Sequence, residues 1–268
     1  MDEAVAAFPA EQRGRLTVRV AAEAVGMSDA PARASRPDTS IRAAVHAIAD
    51  GSADALVSAG ASGATVTAAS LGLGRLRAVR RPALAAVIPA AAGPLVLLDV
   101  GGSLDAGPAT LVCTGLLGAA YAAAAHGVAA PRVGLLSIGV EAGKGDRVRR
   151  ATAPLLAAVT FPAHGRYVGL VEGQQVSLGE HADVVVTDGF TGNVLLKGIE
   201  GAFKLARTPR PAPRAAALLG VAGTVVVCHG AADGADVASG IALAAQLHRR
   251  AVMTELARAL GEVGESNE

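Results

Sequence analysis

The sequence predicts a doubly wound α/β fold, with a mostly parallel sheet covered by helices on both faces. Three observations support this prediction. Short runs rich in Val, Leu and Ile are apolar throughout instead of alternating with polar residues, which is typical of strands buried on both faces. Ala-rich stretches with helical spacing separate these runs, and Gly, Pro or polar residues mark the boundaries. Strands that alternate with helices in this way build parallel sheets.

The elements can be assigned in order along the chain. Apolar runs predict strands at residues 16–20, 53–58, 83–88, 95–99, 132–138, 159–161, 167–171, 183–187 and 221–228. Helical spacing predicts helices at residues 39–49, 64–73, 108–125, 146–158, 191–205 and 235–260. In the first helix, Ile41, Val45 and Ile48 recur on one face. Pro89 and Pro94 break any helix between the third and fourth predicted strands.

The chain is expected to form a single domain over residues 1–268. Its length allows a sizeable core, and 51% hydrophobic with 18% charged residues excludes intrinsic disorder. Pro209, Pro211 and Pro213 make the stretch 206–214 a short extended linker.

Charge and composition exclude several classes of function. The net charge is +1, from 24 Lys and Arg against 23 Asp and Glu, so no overall attraction to nucleic acid or anionic membrane follows. Aromatic residues make up 2%, too few for base stacking on single strands. Two cysteines exclude a disulfide scaffold and a Cys-rich zinc motif. We therefore expect a cytoplasmic protein that binds neither nucleic acid nor metal. The acidic start, Met1-Asp2-Glu3, is unlike a signal peptide.

One apolar stretch is long enough to cross a bilayer. No charged residue falls between Asp105 and Arg132. Gly and His interrupt the stretch, and weakly hydrophobic Ala supplies most of the remainder, so a buried core helix is the favoured interpretation over a membrane span.

Ligands of doubly wound sheets bind beyond the carboxyl ends of the strands, and four such ends are followed by Gly and polar residues. The first is the turn that contains Ser58, Gly60, Ser62 and Gly63. Its glycines let the backbone approach an anion, and free N–H groups at the following helix start favour phosphate. A tight turn with Ser62 as a helix cap is the alternative.

Acidic and basic side chains follow the second and third strand ends. Asp99 and Asp105 flank a Gly pair and can position a substrate or an Arg side chain, although Asp105 is also placed to cap the next helix. Lys144 stands between two glycines ahead of a helix, where a compact positive charge suits phosphate. A solvated loop Lys is the alternative.

The fourth strand end leads into Asp188, Gly189 and Asn193, followed by Lys197. An amide at a helix start can hold an oxyanion or a carbonyl oxygen. In the alternative, Thr191 is an ordinary N-cap.

His229 follows the last strand, either at the same ligand edge or as a hydrogen-bonded structural residue. The chain has no HExxH and no GxxxxGK[ST] motif, and it shows no Ser-His-Asp spacing.

Eight short motifs occur in a recognisable order. They are SAGxxGA at 58–64, RPAL at 81–84, LLDVG at 97–101, PRVGLLSIG at 131–139, KG at 144–145, ADVVVTDGFTGNVLLK at 182–197, EG at 200–201 and HG at 229–230. Together they resemble the bacterial phosphate acyltransferases, the PlsX family, over roughly residues 35–250. The stretch at 182–197 is the most specific of them.

The resemblance implies a fold and a reaction. The family fold is a three-layer α/β/α sandwich related to isocitrate dehydrogenases and phosphotransacetylases, usually homodimeric. The reaction moves a fatty acyl group from acyl carrier protein (ACP) to inorganic phosphate, giving acyl phosphate for phospholipid synthesis. No metal or nicotinamide cofactor is implied. By the family motifs, Lys144 and Asn193 are catalytic, and Ser58, Gly60, Ser62, Gly63, Asp99, Asp188, Gly189 and His229 bind substrate or phosphate.

A basic cluster suits the acidic carrier protein that the resemblance implies. It consists of Arg75, Arg77, Arg80 and Arg81, beside the proposed substrate turn. Complementary charge of this kind steers encounter between partners. A solvated surface is the alternative.

The chain is a divergent and shortened member by the same comparison of motifs. Residues 1–34 lack the family's opening strand and glycine loop, and the apolar insertion after DGFTGN is cut to the linker at 206–214, which implies at most peripheral membrane contact. Ala61, Ser103 and Asp146 each stand where the family has Asn, and Ala231-Ala232 replace two serines. A degenerate, catalytically weak paralogue that binds ACP or a dimer partner is the alternative function.

Overall fold

Eight strands form one continuous sheet in the part of the chain that this computed structural model describes, residues 8–207 and 213–266. The strands are β1 (Ala55–Ser58), β2 (Ala83–Ala90), β3 (Gly93–Leu98), β4 (Arg132–Ser137), β5 (Arg166–Glu172), β6 (Val184–Val186), β7 (Ala215–Leu219) and β8 (Thr224–Cys228). The helices are α1 (Ala10–Arg13), α2 (Ser40–Ala49), α3 (Ser62–Gly72), α4 (Pro108–His126), α5 (Arg147–Ala158), α6 (Gly173–Leu178), α7 (Gly189–Ala206), α8 (Gly234–Arg249) and α9 (Val252–Ser266). The strand order is β1-β8-β7-β2-β3-β6-β4-β5.

Helices cover both faces of the sheet. Helices α2, α3, α6 and α7 pack on one face, and α4, α5, α8 and α9 pack on the other. Consecutive residues of a strand point to opposite faces. Leu97 therefore packs in the first core, under α2, α3, α6 and α7, and Leu98 in the second core, under α4, α5, α8 and α9. This confirms the predicted three-layer α/β/α sandwich.

The strands run in two directions. Four pairings are parallel (β1–β8, β3–β6, β4–β6 and β4–β5) and three are antiparallel (β2–β3, β2–β7 and β7–β8). It follows that β1, β2 and β8 point one way and the other five strands point the opposite way. The expectation of a single ligand edge is therefore wrong: the turns after β1 and β8 lie at the opposite edge from those after β3, β4 and β6.

The long apolar helix α4 is a core helix. In length and composition it is the one candidate for a membrane span among the described residues. Leu111, Leu117 and Tyr121 are fully buried, and they pack with strand residues such as Leu98 and Val184 in the second core. Pro108 occupies its first turn, and Gly127 ends it in the left-handed conformation that glycine adopts without strain.

Two predicted strands are absent. Residues 16–20 have a strand-like composition but form no regular element, and Val20 is 94% exposed. Residues 159–161 leave α5 in extended conformation, but they pair with no strand, and Phe161 packs into the core instead.

The C-terminal part also differs from the prediction. Residues 215–219, predicted as no element, form β7, which turns at Gly220 and pairs antiparallel with β8. The predicted helix at 235–260 is two helices, because the chain turns at Ala251, where φ is 49°. The linker at 206–214 falls largely outside the described residues.

Close packing between α4 and the sheet generates a stability prediction. A Cβ at Gly118 would lie 2.5 Å from Val184 Cγ1 and 2.9 Å from Leu98 Cδ2, whereas a Cβ at Gly201 in α7 would meet nothing within 4 Å. Gly118→Ala should therefore destabilise the protein by about 1–2 kcal/mol through overpacking. Gly201→Ala, the matched helical control, should be neutral or stabilising by up to about 1 kcal/mol. Urea unfolding measures both, and equal stability of the two variants would contradict the packing.

Candidate active site

Helix α7 is the element around which the candidate site is built. It begins directly after β6 and runs back over one face of the sheet toward the opposite edge, where β8 ends. Asn193 and Leu196 line a small polar cavity, whereas Phe190, Thr191, Val194 and Leu195 line an apolar groove. The helix therefore separates two cavities of different chemistry.

The polar cavity brings together three predicted residues from distant parts of the chain. It has a volume of about 40 Å³, and Ser62, Asn193 and His229 are the polar residues of a lining that is otherwise apolar, above a floor formed by β2, β7 and β8. Asn193 Nδ2 donates to the carbonyl oxygen of Val100 at 2.9 Å, which fixes the amide at the first turn of α7. Asn193 and His229 follow strands that point in opposite directions. They meet in one cavity because α7 runs from the end of β6 toward the edge at which His229 lies.

The turn before α3 contributes Ser62 to this cavity, whereas Ser58 and Gly60 line a separate cavity beside α2. The N-cap of α3 is Ala61, and no side chain caps the helix, so the alternative role of Ser62 as a cap is wrong. Ser58 Oγ lies 2.9 Å from Thr65 Oγ1 and accepts from the Gly60 amide at 3.2 Å, which holds the turn in place. A Cβ at Gly63 would lie 3.0 Å from Pro31 Cγ. The helix start therefore packs against Pro31 at Gly63.

Three charged or titratable side chains meet at the rim of the polar cavity. Lys197 Nζ lies 2.7 Å from His229 Nδ1 and donates to Glu200 Oε2 at 3.1 Å, while His229 Nε2 lies 2.7 Å from Glu200 Oε1. Burial opposes ionisation of Glu200, but the hydrogen bonds from His229 and Lys197 prevail and lower its pKa. The role of Glu200 was not predicted. Its spacing of three residues from Lys197, which places both side chains on one helix face, is the sequence feature that indicates their contact.

Asp188 and Arg149 fix the start of α7. Asp188 accepts hydrogen bonds from the Thr191 amide at 2.8 Å and the Thr191 hydroxyl at 2.9 Å, and it forms an ion pair with Arg149. Arg149 also donates to Thr187 Oγ1 at 3.0 Å. Burial acts to raise the pKa of Asp188, but the bonds from Thr191 and Arg149 outweigh it, so the pKa lies below its ordinary value. The Arg149 side chain is 12% exposed and also pairs with Asp146.

Asp99 is buried beneath this helix start and does not face either cavity. Its Oδ1 accepts from the amides of Gly102 at 2.7 Å, Leu84 at 3.0 Å and Gly101 at 3.1 Å. Burial raises the pKa of Asp99. The carboxyl therefore shapes the loop after β3.

That loop packs closely against the first turn of α7. The Gly189 amide donates to the Ser103 carbonyl oxygen at 2.8 Å. A Cβ at Gly192 would lie 1.9 Å from the Asp99 carbonyl oxygen, so only glycine fits at that position.

Lys144 lies apart from the polar cavity. Its side chain is half exposed in the loop before α5, with Glu141 Oε2 at 4.0 Å as its ion-pair partner. The neighbouring Asp146 caps α5 by accepting from the Arg149 amide at 2.8 Å. Gly145 and Asp146 line the apolar groove, so the structure places Lys144 beside that groove.

The apolar groove is much larger than the polar cavity. It has a volume of about 630 Å³, and its polar lining includes Ser137 and Arg149. Ile138, Phe190 and Val194 are exposed by 84%, 64% and 58%, and they line the same groove, where they form an exposed apolar patch. Within the described residues, no group of three or more His, Cys, Asp or Glu side chains is arranged to hold a metal ion.

The fold of this chain is similar to that of solved phosphotransacetylases. The EutD phosphotransacetylase from Staphylococcus aureus superposes with a TM-score of 0.57 at 18% identity, over 77% of this chain and 67% of that one. A branched-chain phosphotransacylase from Enterococcus faecalis gives a TM-score of 0.56 at 18% identity, over 83% of this chain and 81% of that one.

Sequence comparison identifies the family to which the chain belongs. The profile of the family described as fatty acid synthesis protein matches residues 2–208, and this chain belongs to that family. A phosphate acyltransferase from Desulforudis audaxviator is 38% identical over 300 residues, covering 99% of this chain and 87% of the relative. One from Desulfitobacterium hafniense strain Y51 is 44% identical over 193 residues, covering 71% of this chain and 56% of the relative, so the chain spans little more than half of that protein. The resemblance to the bacterial phosphate acyltransferases is confirmed.

The Arg149–Asp188 pair generates a prediction on pH and stability. Because the folded-state pKa of Asp188 lies below its unfolded-state value, the pair stabilises the fold above about pH 4. This contribution is lost as the pH falls through the folded-state pKa. Asp188→Asn should therefore cost about 2 kcal/mol at pH 7 and less at pH 3.

Denaturant unfolding at both pH values measures this difference. Asp54→Asn is the control, since the Asp54 side chain is 80% exposed, and it should change stability little at either pH. An equal loss at pH 7 and pH 3 in Asp188→Asn would show that the ion pair contributes nothing.

Proposed function

We propose that the protein is a phosphate acyltransferase, which transfers a fatty acyl group from acyl-ACP to inorganic phosphate. The observation that supports this most strongly is the pairing of an apolar groove with a polar cavity across one helix, α7. A fatty acyl thioester and an inorganic anion need these two environments at a short distance from each other. The family and the names of the relatives point the same way.

The reaction requires little of the protein beyond positioning and charge. A phosphate oxygen attacks the thioester carbonyl carbon, a C–O bond forms, and the C–S bond breaks to release the carrier thiol with a proton. The protein must hold the anion, offset its charge and stabilise the tetrahedral oxyanion. We assign the anion to Ser62 and His229, which line the polar cavity, and the oxyanion to the Asn193 amide. Ser58, Gly60 and Gly63 shape the turn that presents Ser62.

The remaining predicted residues fill supporting roles in this proposal. Lys144, beside the groove, supplies positive charge to the reacting groups. Asp188 and Gly189 fix the first turn of α7, and Asp99 fixes the loop against which that turn packs. The first turn of α7 and the loop after β3 thereby orient Asn193.

Charge on the surface supports an acidic partner. Arg147 and Arg150 stand on α5, whose first turn borders the groove, and suit the acidic surface of ACP. In the separate cluster at 75–81, Arg81 donates to Ser103 Oγ at 3.0 Å and to the Asp105 carbonyl oxygen, so it also braces the loop after β3. The proposal includes a homodimer in the cytoplasm with at most peripheral membrane contact.

The first test concerns catalysis. Acyl phosphate formed from long-chain acyl-ACP and phosphate is measured for the wild type, Lys144→Ala and Asn193→Ala. A well-placed group that stabilises an oxyanion contributes roughly two to three decades in rate, so each variant should fall by about that factor. A wild type that is inactive with both acyl-ACP and acyl-CoA would contradict the proposal and favour the degenerate paralogue. If the wild type is active and Lys144→Ala has the same rate, Lys144 has no catalytic role, but the proposed function stands.

The second test concerns the apolar groove. Each buried methylene contributes roughly 0.8 kcal/mol, so an acyl chain in the groove gives an affinity that rises with chain length. Val194→Glu places a charge among the lining residues and should raise the KM for palmitoyl-ACP at least tenfold while changing the KM for a short-chain donor little. Leu205→Glu, on the same helix but 88% exposed and outside the groove, is the matched control. Equal effects of the two variants would show that the groove does not hold the chain.

A further inference from the structure

We infer that Lys197 is the side chain that binds the inorganic phosphate acceptor, and that Glu200 is the residue that positions it. This inference rests on the proposed function and extends it to two residues outside the set proposed above. Lys197, Glu200 and His229 form a closed triangle of contacts at 2.7 to 3.1 Å, which we call the Lys–Glu–His cluster.

The donor and acceptor chemistry of the three groups determines which atoms carry the protons in the cluster. An ammonium group has hydrogens to donate and no lone pair to accept with, so Lys197 donates to His229 Nδ1. The other ring nitrogen, Nε2, then carries the proton and donates to Glu200 Oε1. Both oxygens of Glu200 are thereby engaged, one by each partner. The carboxylate orients Lys197 and His229 at once, and it is 11% exposed, so it does not itself meet an anion.

Lys197 keeps the capacity to bind a ligand. Of its three N–H groups, one points to Glu200 and one to His229, which leaves the third for an external oxygen. The side chain is half exposed, so an anion can reach Lys197 from solvent. Lys144, by comparison, is equally exposed but has only Glu141, at 4.0 Å, to hold it. The better-ordered cation is therefore Lys197.

The surroundings of the cluster select a small oxyanion. His229 joins the cluster to the polar cavity, and Ser62, at the uncapped start of α3, lies in the same cavity. With a neutral imidazole the cluster carries no net charge, so the attraction comes from directed N–H and O–H donors rather than from a diffuse positive field. Tetrahedral phosphate accepts hydrogen bonds in several directions and matches such a set of donors.

The test compares three lysines that carry the same charge. Lys197→Met, Lys144→Met and Lys204→Met are prepared in the full-length protein, with Lys204, exposed on the same helix, as the matched control. Isothermal calorimetry measures binding of inorganic phosphate without turnover, and steady-state kinetics give separate KM values for phosphate and for acyl-ACP. Loss of a charged hydrogen bond should weaken phosphate binding by about 10- to 100-fold in Lys197→Met and leave the KM for acyl-ACP unchanged. Lys204→Met should match the wild type.

Glu200 is tested as a positioning residue by conservative replacement. Glu200→Gln keeps the shape of the side chain but cannot accept from both partners, so it should raise the KM for phosphate about tenfold with a smaller change in kcat. Glu200→Asp keeps the charge and should restore part of that loss. A uniform loss of kcat, with an unchanged KM for phosphate, would show a structural role only and overturn the assignment.

The outcomes separate this inference from the proposed function. An active enzyme in which Lys197→Met binds phosphate normally overturns the inference and leaves the function standing. Phosphate binding that depends on Lys197 in a protein without turnover supports the inference and contradicts the function. A rise in the KM for acyl-ACP alone would assign Lys197 to the phosphodiester of the carrier's prosthetic group and overturn its assignment to free phosphate.

Discussion

The hydrogen-bonded anchoring of the first turn of α7 is the constraint on which the candidate site depends. Asp188 caps the helix and pairs with Arg149, which reaches it from the first turns of α5. On the other side, the loop after β3 touches the backbone of Gly189 and Gly192. Helix α5 and the loop after β3 thereby both hold the helix start, and this fixes the positions of Asn193, Lys197 and Glu200 along the helix.

Because the strands run in two directions, α7 also connects the two edges of the sheet. Because β1 and β8 end at the opposite edge from β3, β4 and β6, no single edge collects all of the polar turns. Helix α7 crosses the face of the sheet between the two edges and brings its own polar side to His229. The result is a cleft across the sheet, with a polar cavity on one side of α7 and an apolar groove on the other.

The sequence alone was sufficient for the layers and for most elements, because the apolar runs of β4, β6 and β8 and the long helix α4 have unambiguous periodicity. It was not sufficient for strand direction, since apolar runs look alike in parallel and antiparallel pairs, and the hairpin between β2 and β3 reverses half of the sheet. Ser62, Asn193 and His229 were found as site candidates from local Gly and polar patterns. The contacts of Arg149 and Glu200 join residues 39 and 29 positions apart, and the grouping of Ser62 with Asn193 joins residues 131 positions apart, which no local pattern encodes.

The central claim is that α7 keeps the phosphate and the acyl chain in separate sites that are occupied together. Calorimetric titration of inorganic phosphate, in the absence and in the presence of a saturating neutral hexadecyl probe, measures this directly. The account predicts that the phosphate dissociation constant stays the same and that a ternary complex forms. A dissociation constant that rises in proportion to the probe concentration would show that the two ligands compete for one site, and would contradict the account.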